Sequence, residues 1–219
     1  MKVFFFLALI APLFAQNQVR LQADMQAIAQ ALGVNCEYCH SAARGSGGPE
    51  PRKDIARQMM AMTREINTRV QTATAKPAGE VTTVECATCH RGVAIPLPLP
   101  NLLRKTLASM GAEAAAEQYK ALRVQYFGTG AYDFSETTLV NLGQQLSPGR
   151  PDDAIALLNL NLIYYPNSAK TYAAIGYAYT RKYDDATAIK MLEKALELEP
   201  SNGVVEGQLA QLKMYQRRK

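Results

Sequence analysis

Cys36-Glu37-Tyr38-Cys39-His40 and Cys86-Ala87-Thr88-Cys89-His90 repeat one pattern, Cys-x-x-Cys-His, 50 residues apart. A chain with this pattern must build around whatever the motif holds, because the two copies consume all four cysteines and both histidines of its 219 residues. The spacing is that of covalent c-type haem attachment. Two thiols add to the two vinyl groups of one haem, and the adjacent His ligates the iron. Two haem c groups are expected, one on Cys36, Cys39 and His40 and one on Cys86, Cys89 and His90. Other uses of such cysteines fit less well. A Cys₄ zinc site also takes two Cys-x-x-Cys pairs, but the 46 residues between Cys39 and Cys86 are long for a zinc knuckle and each His would be unexplained. An even cysteine count in an exported chain also suits disulfides. A thioredoxin-like dithiol needs a βαβ context, and the sequence has none.

The N-terminus agrees with attachment outside the cytoplasm. Met1-Lys2 is followed by a short apolar run to Ala15, before Gln16. This is a basic n-region, an apolar h-region and a small residue at a cleavage point, so residues 1–15 read as a secretory signal peptide. The run falls short of the ~20 residues of a membrane span. The other reading is an uncleaved anchor holding the chain at the outer face of the inner membrane. No Cys lies near the cleavage point, so lipid attachment there is not expected. The expected location is a bacterial periplasm. The formal charge of +5 carries no basic stripe before Arg217-Arg218-Lys219, so nucleic acid is not an expected partner.

Alternating prolines at Pro96, Pro98 and Pro100 divide the chain. They are expected to be non-helical and to favour polyproline II. Residues 16–100 would form a haem domain ending in this linker, and residues 101–219 a helical domain. In the first half, Leu21, Met25, Ile28 and Leu32 mark one helix face that Gly33 ends. Ile55, Met59, Met62 and Ile66 mark another, with Pro49 and Pro51 near its start. Residues 44–48 read as a polar loop, and 81–84 are the one strand candidate.

The second half carries a 34-residue period: Ala154 with Ala188, Leu158 with Leu192, Pro166 with Pro200. That is the tetratricopeptide period. The second copy fits well, through Tyr172, Ile175, Gly176, Tyr179, Ala188, Leu192, Ala195 and Pro200. The first has Leu142-Gly143 one residue out of phase and Asn161 where Ala is preferred. Helices over 102–110 and 113–127 would extend the array, and 204–219 would be a polar-faced capping helix. The expected fold is all-α: a small dihaem domain followed by a tetratricopeptide-like α-solenoid.

A c-type iron takes His on one side and Met, His or nothing on the other. Both histidines are already used, so methionine is the available sixth ligand. Met25 precedes Cys36 by 11 residues on an apolar face. Met on such a face is also ordinary core filler. The second site stays open between Met59 and Met62.

These stretches together resemble a known family. Met25-x₁₀-Cys36, Leu32-Gly33-Val34-Asn35-Cys36-Glu37-Tyr38-Cys39-His40, Met59-Met60-Ala61-Met62-Thr63-Arg64-Glu65-Ile66-Asn67 and Cys86-Ala87-Thr88-Cys89-His90-Arg91-Gly92 are similar to the haem-binding units of the cytochrome c subunit of photosynthetic reaction centres. The resemblance spans residues 20–96. It implies units of a Met-bearing helix, a turn and Cys-x-x-Cys-His, with Met25 and Met59 as metal ligands. The chain departs from that family in having two haem motifs rather than four, no further His, no lipid-bearing Cys and an added helical half. The resemblance thus carries the haem-unit fold further than the photosynthetic role.

The function these features imply is an exported dihaem electron carrier with no catalytic residues. Its partners would be a redox donor and acceptor, such as a membrane-bound reaction centre or respiratory complex. The helical half would dock or assemble partners, with Tyr172 and Tyr179 as candidates. The alternatives are a peroxidase-like dihaem enzyme with a displaceable sixth ligand, and a scaffold with an accessory redox domain.

Overall fold

The computed structural model describes residues 10–40 and 51–217. The fold is all-α, and no strand occurs among the described residues. Two compact units form, Met1–Pro96 and Leu97–Lys219. Residues 1–9 of the expected signal peptide and the whole 44–48 loop lie outside the described residues. No helix among the described residues is long and apolar enough to cross a membrane.

The first unit contains α1 (Ile10–Leu32), a 3₁₀ turn (Cys36–Tyr38), α2 (Pro51–Thr74) and α3 (Cys86–His90). α1 runs unbroken through the Ala15–Gln16 junction. Gly33 ends it at φ +65°, a left-handed conformation that glycine adopts without a Cβ penalty. The 81–84 segment is not a strand. It is an irregular extended stretch with α2 beside it, and its pairing goes to a side chain, Asn67. Among the described residues before Leu97, only Ala31 is a buried apolar residue. Leu21 is 57% exposed and Ile55 59%. The expected apolar faces are therefore present, but the polypeptide alone does not cover them.

The second unit has a conventional core. α4 (Leu99–Tyr126) starts inside the proline segment, with Pro98 as N-cap and Pro100 in the first turn. This corrects the expectation that the prolines exclude helix: first-turn N–H groups have no intrahelical acceptor, so proline loses nothing there. Gly111, at φ 86° and ψ 179°, breaks α4 into the two helices that the sequence predicts. Leu99, Leu103, Leu107, Ala115 and Tyr119 of α4 pack with Phe134, Leu139, Leu142, Leu157 and Leu160.

The remaining helices are α5 (Glu136–Leu146), α6 (Pro151–Tyr164), α7 (Ala169–Arg181), α8 (Asp185–Leu198) and α9 (Gly203–Gln216). α6 and α8 start and end 34 residues apart, and α7 and α9 start 34 apart. α5 starts 33 residues before α7, the phase slip seen at Leu142-Gly143. Small residues allow each pair to close. A Cβ on Gly143 would lie 2.6 Å from Leu158 Cγ, and one on Gly176 would lie 2.9 Å from Leu192. Asn161, the mismatch in the first copy, is fully buried. Its Nδ2 donates to Glu136 O (3.0 Å) and to Thr171 Oγ1 (2.8 Å), joining α6 to α5 and α7 where alanine would only fill space.

Tyr172 packs against Leu192, Ala195 and Val205, and Tyr179 against Ile175 and Ala178, and both stay half-buried. α9 exposes Glu206, Gln208, Gln211 and Gln216, with Val204, Met214 and Tyr215 among them. It starts one period after α7, and Val205 is its buried residue.

Candidate haem-binding sites

Each Cys-x-x-Cys-His folds as a single helical turn. In the first motif Asn35 caps the turn, its Oδ1 accepting from Tyr38 N at 3.2 Å. His40 N donates to Cys36 O at 2.9 Å. In the second, Thr88 Oγ1 accepts from Glu85 N at 3.0 Å at the start of α3. Arg91 ends that helix in a left-handed conformation at φ 49°. Residues three and four apart share a helix face, so each turn presents two thiols and an imidazole on one side.

All four thiols are free, so no disulfide joins them. No three Cys, His, Asp or Glu side chains among the described residues converge as a metal-binding group. Thiols that line a turn without converging suit attachment to the rim of a flat macrocycle.

His90 carries a further sign of metal binding. Its Nδ1 lies 3.0 Å from Val93 O. A carbonyl oxygen only accepts, so Nδ1 is the donor of this bond and Nε2 is the ring nitrogen left for a metal. Ligating histidines are usually held this way, by a hydrogen bond that fixes tautomer and ring orientation.

Cys36, Cys39, His40 and Met25 line one cavity of about 680 Å³. That volume lies in the usual range for small-molecule and cofactor sites. Leu21, Ile28, Ala29 and Leu32 of α1 form its apolar wall, and Ala56 and Met60 of α2 approach from the other side. Lys53 and Arg57 add two cations to the lining. The structure thus brings Met25 together with the first motif. Met25 is 41% exposed on that wall. These residues fit a haem: an attachment edge, a His, a facing thioether and apolar walls.

α2 reaches both motifs. Arg52 Nη1 donates to Tyr38 O at 2.8 Å, and its guanidinium lies 4.4 Å over the Tyr38 ring. Asn67 Nδ2 donates to Val84 O at 2.9 Å and its Oδ1 accepts from Val84 N at 2.7 Å, two residues before Cys86. Met59 is half-buried on α2, and its carbonyl accepts from Thr63 Oγ1 at 2.9 Å. Met62 is 44% exposed, close to the 41% of Met25. Met60, assigned by the sequence to a different face, lines the first cavity. Sequence reasoning missed Met60, Lys53, Arg57, Arg52 and Asn67 as site residues. Only Asn67 had a signal, its place at the end of the Met-rich phrase.

α1 and α3 pack together, and Gly92 N donates to Ala31 O at 2.8 Å. Gly92, two residues after the second motif, is therefore bonded to the end of the helix that bears Met25.

Residues 48–144 match the family described as photosynthetic reaction centre cytochrome c subunit. The match takes in α2 and the second motif. It continues into α4 and α5, so similarity is not confined to the haem half as expected from the sequence. Cytochrome c-554 of Chloroflexus aurantiacus is 35% identical over 65 residues, 30% of this chain and 15% of that protein. The photosynthetic reaction center cytochrome c subunit of Rubrivivax gelatinosus is 35% identical over 78 residues, 31% of this chain and 21% of that protein. The chain spans about a fifth or less of the length of these relatives. All are named as cytochromes c, which are electron carriers rather than enzymes.

Proposed function

We propose that this protein is an exported dihaem c-type cytochrome that passes electrons between redox partners. Cys36, Cys39 and His40 would hold one haem c, with Met25 as sixth ligand. Cys86, Cys89 and His90 would hold the other, with Met59 as sixth ligand. The observation that carries this reading is the single cavity lined by Met25, Cys36, Cys39 and His40. The Nδ1–Val93 hydrogen bond supports His90 in the same role.

Haem c, when bound, supplies a one-electron couple whose potential rises with Met ligation. The chain's part would be to hold the His90 imidazole by Nδ1, to supply a methionine thioether at each site, and to keep water from the apolar walls. Burial of Leu21, Met25, Ile55 and Met62 against the macrocycles would supply the core that the first unit lacks.

The second unit reads as a tetratricopeptide-like module that docks or assembles redox partners, with a membrane-bound reaction centre or respiratory complex as the partner class. The two 34-residue helix offsets support that reading. The periplasm is the proposed location, from residues 1–15 read as a signal peptide.

Carbon monoxide tests the carrier reading. The reduced holoprotein should leave its Soret band unchanged under the gas, because both irons are six-coordinate. A full shift at either haem would mean an open iron and favour the enzyme reading.

A further inference from the structure

We propose that Asn67 is a positioning residue of the second haem site, fixing α3 against the methionine-bearing helix α2; this rests on the dihaem reading above. The asparagine side chain carries an amide NH2 that donates and an amide oxygen that accepts, so it can pair with a peptide group. Asn67 uses both on one residue, Val84, at 2.9 and 2.7 Å. The amide therefore stands in for a strand partner and fixes both the distance and the rotation of the 82–85 stretch against α2.

The stretch so fixed leads directly into Cys86. The far end of the motif is fixed separately, by Gly92 N on Ala31 O at 2.8 Å. α3 is thus tied at its entrance to α2 and at its exit to α1, while His90 is set by Val93 O. Met59 lies eight residues before Asn67 on α2, about 12 Å along the helix at 1.5 Å per residue. A methionine on α2 and His90 on α3 can address opposite faces of one macrocycle only if these two helices keep a fixed separation. Asn67 provides the side-chain bonds between α2 and the approach to α3. No such tie reaches the first motif from Asn67, so the effect is specific to one site.

The test uses the holoprotein and its Asn67→Leu variant, which keeps the side-chain size and loses both bonds. Both haems should remain covalently attached, because no cysteine changes. The Met–Fe(III) charge-transfer absorbance should fall by about half, and one of the two potentiometric steps should move to lower potential while the other stays. Asn67→Asp keeps the acceptor for Val84 N and should give a smaller shift of that same step, which keeps the test decisive if Asn67→Leu fails to fold. A lowered melting temperature with both steps and the absorbance unchanged would overturn the proposal, leaving Asn67 a structural tie only. Equal movement of both steps would overturn it as well. Wild-type protein without covalent haem would instead contradict the dihaem reading itself.

Discussion

Gly33 and Gly92 approach so closely that a Cβ on Gly33 would lie 2.0 Å from the Gly92 carbonyl oxygen. Gly33 ends the helix that bears Met25, and Gly92 follows the second haem motif. The helix that bears Met25 and the segment after the second motif thus share one backbone contact, closed by Gly92 N on Ala31 O. Gly33 also sits at φ +65°, so any side chain there is strained before it clashes. Gly33→Ala should cost more than about 2 kcal/mol in the holoprotein, from left-handed strain plus separation of the two backbones. Denaturant unfolding followed by haem absorbance measures this. A loss below about 0.5 kcal/mol would show that the contact contributes little to stability.

Met25→His should lower the potential of one haem and leave the other, because Met ligation raises the potential relative to His. Redox titration with optical detection separates the two steps. An unchanged pair of steps would remove Met25 from the iron.

The three methionines of α2 separate by position. Met59→Leu should abolish Met–Fe(III) absorbance at the second haem. Met62→Leu should leave it, because the family resemblance implies Met59 as the ligand from that helix. Met60→Leu should perturb the first haem, whose cavity it lines, without removing a ligand. Loss of the band in Met62→Leu but not Met59→Leu would reassign the ligand.

Much of this site was legible in the sequence because its chemistry is local. Cys-x-x-Cys-His is one turn of chain, and Gly33 is a helix stop whatever it packs against. The 34-residue period was equally visible, since α6 and α8 bury the same positions. What stayed hidden depends on contacts between distant segments. The Asn67–Val84 pairing joins residues 17 apart through a side chain. The direction of Met60 depends on the rotation of α2 about its own axis, which a pattern of alternating exposure does not fix. Pro98 and Pro100 misled because the same residues suit polyproline II and the first turn of a helix.

The second unit should fold without haem. Residues 97–219, expressed alone, should melt cooperatively with a helical spectrum, since the buried clusters of α4 to α9 lie within them. Within that fragment Asn161→Ala should cost about 2 kcal/mol, by leaving Thr171 and the Glu136 carbonyl without their buried donor. A disordered fragment would contradict the division of the chain.

Asp133 gives the fragment a pH dependence. Its carboxylate accepts from Ser135 N at 2.8 Å, and hydrogen bonds to Ser135 hold it below the ordinary aspartate value. A lowered folded value contributes stability above the unfolded one, and that stability is lost as pH falls through the folded value. Asp133→Asn should therefore lower the melting temperature at neutral pH and flatten its decline with acid. An identical acid profile for both proteins would remove Asp133 from the account.

The central claim is two covalent haems on one chain. Intact mass combined with a pyridine haemochrome assay, on protein made in a host that attaches haem c, tests it most directly. The account predicts the polypeptide mass plus two haems, with Cys86→Ala altering attachment at one site and leaving the other. A mass equal to the bare polypeptide would contradict it.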